Sequence, residues 1–278
     1  MSGKLYLVGT PIGNLGDISP RAASTLGGVD FIAAEDTRVT LKLLNHLGIK
    51  KPLISYHEHN KAGMGEKILA RLKNGENGAL CTDAGMPCIS DPGEELVALC
   101  AGGGVEVLVI PGPCAVSAAL ALSGMGGGRY AFEGFLSVAK GSRRKHLEEI
   151  KAEARTMVFY EAPHKLEPML ADLAGLLGSR RVAICRELTK TYEEVWRGEL
   201  LEAAQFYSQN PARGEFVVIV EGAPPTPTEQ MPLDDAVAQT IRLHESGISL
   251  SAAAKQVAAD SGHKKSEIYR LAAGQVGG

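Results

Sequence analysis

Glu35, Asp36 and Arg38 stand directly after the apolar run Asp30-Phe-Ile-Ala-Ala34. His57, Glu58 and His59 follow Pro52-Leu-Ile-Ser55 in the same way, and Glu161, His164 and Glu187 hold similar positions later in the chain. Carboxylates and imidazoles share one chemistry, proton transfer to or from a bound group. Asp36 and Arg38 have an alternative use, pairing with each other and capping the helix that follows. His57 and His59, two apart, would suit a metal, but no third convincing ligand accompanies them. A polar, substrate-facing loop is the better reading.

Short strands followed by unusual loops and helices must position these groups. Lys4–Val8 leads into Gly9-Thr-Pro-Ile-Gly-Asn14, and Gly78–Thr82 into Asp83-Ala-Gly-Met-Pro-Cys-Ile-Ser-Asp-Pro-Gly93. Val105–Ile110 leads into Pro111-Gly-Pro-Cys-Ala115. None of these loops is a G-x-G-x-x-G turn or a P-loop. Repeated strand–loop–helix units predict a doubly wound, parallel sheet, whose ligands bind outside the carboxyl ends of the strands. Proline removes N–H donors, so carbonyls and apolar surface should do much of the binding. That favours a neutral or cationic ligand over a polyphosphate.

The 278 residues suggest two domains with an appendage. We expect an N-terminal α/β domain over 1–116 and a second α/β domain with a mixed sheet over 117–223. A linker and helical tail should fill 224–278. Strands are expected at 130–136, 156–161, 181–188, 194–198 and 215–221, with helices at about 142–152, 164–177 and 201–208. Pro224-Pro-Thr-Pro-Thr228 reads as a stiff linker. Leu250–Asp260 and Lys264–Ala273, joined through Ser261-Gly-His263, resemble a helix-turn-helix; a solvated helical cap is the alternative.

The net charge of −3 excludes a globally basic nucleic-acid binder but allows a local basic face. Lys140, Arg143, Arg144, Lys145 and Lys151 form the densest such cluster, and Lys255, Lys264, Lys265 and Arg270 add charge to the tail. Five cysteines without a C-x-x-C pair read as buried hydrophobes in a reducing compartment. No apolar run reaches membrane-spanning length and no basic-then-apolar leader is visible, so a soluble, cytoplasmic protein is expected.

Together these motifs resemble the tetrapyrrole methylase superfamily, the class III S-adenosylmethionine (SAM) methyltransferases. Within it they are most similar to the group that methylates ribose 2′-hydroxyls of small-subunit ribosomal RNA. The matching runs are Gly9–Ile18, Ala34–Arg38, His57–Asn60, Asp83–Gly93, Pro111–Ala115, Phe159–His164 and Arg186–Lys190. They span nearly the whole chain. The resemblance implies SAM as cofactor, held in the cleft between two α/β domains, and a homodimer. The implied acceptor is a decoding-centre cytidine in the 16S rRNA of the small ribosomal subunit.

The resemblance places the cofactor against Pro11, against Asp83, Ala84, Gly85, Met86, Pro87 and Ile89, and against Pro111, Gly112, Pro113, Cys114 and Ala115. Phe216 and Val217 would close over the adenine. Ser is expected where Cys114 stands, and Thr where Met86 stands. Methyl transfer from a sulfonium is an in-line displacement, so positioning dominates, and a base helps a poorly nucleophilic hydroxyl. Glu35 or Asp36 is the expected base, with Arg38 on the RNA backbone; Arg143, Arg144, Lys145, Lys264 and Lys265 are expected RNA contacts. Two other functions fit less well: a methylase of small tetrapyrroles, and a non-catalytic RNA-binding factor.

Overall fold

The computed structural model describes residues 2–224 and 231–276. Pro225–Thr228 of the expected linker lie outside the described residues. The chain divides after Ala223 into two compact units.

The first unit holds two five-stranded sheets. The first is built from β1 (Lys4–Val8), β2 (Phe31–Ala34), β3 (Leu53–Ser55), β4 (Gly78–Cys81) and β5 (Glu106–Ile110), in the order β3-β2-β4-β1-β5. Every pair is parallel. Helices α1 (Pro20–Gly28), α2 (Thr37–His46), α3 (Lys61–Lys73) and α4 (Glu94–Gly102) cross between them. Every residue of β2 and of β4 is buried, as a sheet covered on both faces requires. Successive side chains divide between the faces. Phe31 and Leu80 join Ile68, Leu72 and Leu96 of α3 and α4, while Ile32 and Ala79 join Leu26 and Leu44 of α1 and α2.

Helix α5 (Ala115–Ser123) carries the chain to the second sheet. That sheet comprises β6 (Tyr130–Phe135), β7 (Thr156–Glu161), β8 (Arg181–Arg186), β9 (Glu194–Glu199) and β10 (Phe216–Val220), in the order β6-β7-β10-β8-β9. Only β6 and β7 run parallel, so the sheet is mixed. One face packs on α6 (Lys140–Glu149), α7 (Pro163–Leu177) and α8 (Leu200–Gln209). The other receives Val116, Ala119 and Leu120 of α5.

The second unit is three helices, α9 (Leu233–Glu245), α10 (Leu250–Ser261) and α11 (Lys265–Val276), around Ala236, Ala254, Val257 and Ile268. Ser249 caps α10, and Gly262 leaves it in the left-handed region (φ 75°) before α11 begins. Among the described residues no helix is long and apolar enough to cross a membrane.

Candidate active site

The loops at the carboxyl ends of the first sheet interlock through backbone. Thr10 and Gly85 exchange N–H···O bonds of 2.9 and 3.1 Å, joining the loops after β1 and β4. The buried Thr10 hydroxyl also lies 3.3 Å from the Thr82 carbonyl. The loop after β5 comes in equally close. A Cβ on Gly9 would sit 2.7 Å from the Cα of Gly112, and one on Gly112 would sit 2.8 Å from the Gly9 backbone. Only glycine fits at either place. The loop after β2 is tied in by Asp83, whose carboxylate accepts the Asp36 N–H at 3.0 Å.

These loops and the second sheet enclose a cavity of about 460 Å³. Asp83, Gly85, Met86 and Ile89 form one side with Cys114 and Ala115; Tyr160, Leu188, Phe216 and Val217 form the other. Five acidic residues, Glu35, Asp83, Asp91, Glu161 and Glu215, are among the cavity's lining residues, Glu215 paired outward with Lys190 at 3.0 Å, and among the described residues no Lys, Arg or His lines it. Burial pushes the Asp91 carboxyl up to about 6, helped by the nearby charges of Glu35 and Asp83. Burial and Asp83 likewise raise Glu35, and burial raises Asp83. Glu161 is buried and raised for the same first reason, with one oxygen accepting the Ala162 N–H at 2.9 Å. Cys88, in the loop after β4, is non-glycine at φ 68°, a strained position of the kind found at ligand-facing loops. A second cavity of about 380 Å³ shares Glu35, Ser90 and Asp91 with the first. Lys61 crosses it, bridging Glu58 at 2.8 Å and Glu95 at 2.7 Å.

The expected site residues separate in space. Glu35 lines both cavities. Asp36 caps α2 instead, accepting the Arg38 N–H at 2.8 Å and pairing with its guanidinium at 2.6 Å. Those bonds hold the Asp36 carboxyl down at about 2. Neither Asp36 nor Arg38 lines the cavity, and neither do Pro11, Pro87, Pro111, Gly112 and Pro113. Met86 packs by its sulfur against the Gly9–Gly112 contact. Cys114 begins α5 without any side-chain capping bond.

Glu187 is paired with Lys190 at 2.9 Å and lies outside the cavity, as do His57, His59 and the exposed His164. Among the described residues no group of three or more metal-ligating side chains assembles. In α6, Arg143 is tied to Asp172 at 2.6 Å with its side chain 15% exposed. Arg144 pairs with Glu148 at 3.0 Å and Lys145 with Glu149 at 3.9 Å. Lys264 and Lys265 are exposed at the start of α11.

Sequence reasoning passed over Asp91, Phe135 and Tyr160. Asp91 had a signal, an acid inside the most irregular loop of the chain, hidden by its look of a Ser-Asp-Pro turn. Phe135 and Tyr160 read as ordinary strand residues.

A family model described as Tetrapyrrole (Corrin/Porphyrin) Methylases matches residues 4–204. A protein from Synechocystis sp. named ribosomal RNA small subunit methyltransferase I is 46% identical over 270 residues, covering 97% of each chain. Its namesake from Escherichia coli O157:H7 is 44% identical over 99% of this chain and 96% of its own. Among solved structures, cobalt precorrin-4 methyltransferase superposes with a TM-score of 0.59 at 17% identity, covering 78% of this chain and 94% of its own. Uroporphyrin-III C-methyltransferase from Thermus thermophilus, complexed with S-adenosylhomocysteine, gives 0.57 at 18%, covering 79% and 97%. These two likenesses show the shared fold. The chain belongs to the tetrapyrrole (corrin/porphyrin) methylase family.

Proposed function

We propose that this protein transfers the methyl group of SAM to a ribose 2′-hydroxyl of 16S ribosomal RNA, the acceptor being a decoding-centre cytidine in the small subunit. The observation that carries the reading is the cavity wall: apolar strands and strand-end loops with five acidic residues, of which only Glu215 is paired with a lysine, and no cation among the described lining residues. Such a wall repels a polyphosphate and accepts a sulfonium with an ammonium group. The volume lies within the range of small-molecule sites. The relatives named ribosomal RNA small subunit methyltransferase I supply the substrate class.

SAM, when bound, supplies a methyl group on a positively charged sulfur. The chain's own residues then have three tasks. Asp83, Ala84, Gly85, Met86 and Ile89, with Cys114 and Ala115, hold the amino-acid and ribose portions. Pro11, Pro87, Pro111, Gly112 and Pro113 fix the loops that present them. Leu188, Phe216 and Val217 take the adenine. Because contact is made largely by main chain, Met86 and Cys114 serve where hydroxyl residues were expected. Glu35 and Asp91 together receive the proton of the 2′-hydroxyl as the methyl moves, and a carboxyl near pH 6 is well matched to that task. Asp36 and Arg38 keep the Glu35 loop in place.

The exposed cations Arg144, Lys145, Lys264 and Lys265 contact the RNA backbone, while Arg143 anchors α6. The protein acts as a cytoplasmic homodimer; Val109, 55% exposed on the open edge strand β5, offers an apolar surface for it. The experiment is transfer of labelled methyl from SAM to isolated small subunits. Label in the RNA supports the reading. Bound SAM without labelled RNA would remove the substrate, and failure to bind SAM would remove the reading altogether.

A further inference from the structure

Strand β6 ends at the cavity in an irregular way. Its register with β7 shifts between Phe132 and Gly134, so one extra residue is accommodated there. Gly134 sits at φ 63°, a conformation that side-chain-bearing residues seldom adopt. The consequence falls on the next residue. Phe135 lines the cavity and is 58% exposed, among the most exposed large hydrophobic side chains of the protein. Tyr160, on β7, backs it edge to face at 5.5 Å and is itself braced by Phe132 at 5.0 Å. The Phe135 ring is thus packed on Tyr160 while most of the residue stays open to solvent. What separates it from the other exposed apolar residues is its place on the cavity wall, where a planar partner could stack on it.

Other walls of the same cavity limit what that partner is. Ile89, 54% exposed, offers a second apolar surface, and Glu35 and Asp91 stand where this cavity meets its neighbour. Carboxylates accept from an exocyclic amine, the donor that cytosine carries at N4. A ring to stack on, together with acceptors for an amino group, is how proteins hold an unstacked base of single-stranded RNA.

We propose that Phe135, aimed by the Gly134 bulge and braced by Tyr160, is the stacking platform for the acceptor nucleobase. This rests on the RNA methyltransferase reading given above. It adds that the base is turned out of its helix or loop and held at the cavity mouth, which brings its ribose 2′-oxygen to the methyl donor.

The test uses the full-length chain with Phe135→Ala, Phe135→Leu and Phe135→Trp. Each variant is assayed for SAM affinity by calorimetry and for methyl transfer to small ribosomal subunits. The expected result is unchanged SAM affinity in all three. Ala and Leu should lower kcat/KM for the subunit by roughly five- to a hundredfold, the loss typical of one base–aromatic stack. Trp should stay within about threefold of the parent. Full transfer by Phe135→Ala would overturn the proposal. So would an equal loss with Leu and Trp, or weakened SAM binding, which would make Phe135 part of the cofactor wall. A parent protein that methylates no RNA would overturn both this proposal and the reading beneath it, a result plainly different from loss confined to the variants.

Discussion

Replacing Asp91 by Asn should make the protein more stable and less active, and the structure sets the size of the first effect. The Asp91 carboxyl has an ordinary value of 3.8 and is pushed to about 6 by burial and by Glu35 and Asp83. A carboxyl raised on folding binds its proton more tightly in the native state. Its contribution is therefore fully present below pH 4 and is lost as the pH rises from about 4 to 6. Above that window the native state carries an ionised, poorly solvated carboxylate. The gap, at about 1.4 kcal/mol per pH unit, puts a ceiling of about 3 kcal/mol on the cost. Asp91 is only partly buried, so solvent screening reduces this to about 1 kcal/mol. Asn keeps the shape without the charge. Urea unfolding of parent and variant at several pH values is the assay. The two should coincide near pH 4, diverge to about 1 kcal/mol in favour of Asp91→Asn by pH 6 to 7, and stay apart above it. An Asn variant no more stable than the parent at pH 8, or a difference independent of pH, would refute the reasoning. Methyl transfer by the same variant should fall by about a hundredfold, as expected when half of a proton-accepting pair is lost.

Glu35→Gln should lose transfer to a similar extent while melting no lower than the parent, since burial and Asp83 raise the Glu35 carboxyl as well. Asp36→Asn should keep transfer within a few fold, because an Asn cap replaces an Asp cap with little loss; the pair of transfer rates checks both. If the two variants behave alike, Glu35 has no special role. Native alkylation should modify Cys114 first, since it lines the cavity, whereas Cys81, Cys100 and Cys185 are buried with thiols pushed up to about 12, 11 and 11. S-adenosylhomocysteine should slow that reaction at least tenfold, as followed by mass spectrometry of labelled peptides.

Much of the fold was legible because it follows from period and punctuation. The five strands of the first sheet carry short apolar runs bounded by Gly and Pro, and their parallel pairing follows from the helices between them. The mixed second sheet was readable from alternation in its strands. The first strand-end loops were legible for the same reason, since Gly and Pro in such positions exist to make backbone irregular. What the sequence hides is which side chain faces which. The cap that Asp36 makes on α2 and its pairing with Arg38 were one of the two uses Glu35-Asp-Thr-Arg38 offered; the sequence left open that Glu35 alone goes forward to the cavity, an arrangement accompanied by the hydrogen bond from the Asp36 N–H to Asp83, 47 residues away. The cluster on α6 looks basic in one dimension, yet helical spacing supplies Glu148 and Glu149 as partners, and Asp172 of α7 takes Arg143. Asp91, in the loop after β4, and Phe135, at the end of β6, line one cavity, a juxtaposition that no local pattern reports.

The central claim is transfer to a ribose oxygen. Small subunits from cells lacking this gene, incubated with the protein and labelled SAM, would have their RNA digested with alkali and the label traced. A 2′-O-methyl group blocks cleavage at its own phosphodiester. The account therefore predicts label in an alkali-resistant dinucleotide with a cytidine on its 5′ side, formed about a hundredfold more slowly by Glu35→Gln. Label recovered in a single alkali-released nucleotide would place the methyl on a base and contradict the account.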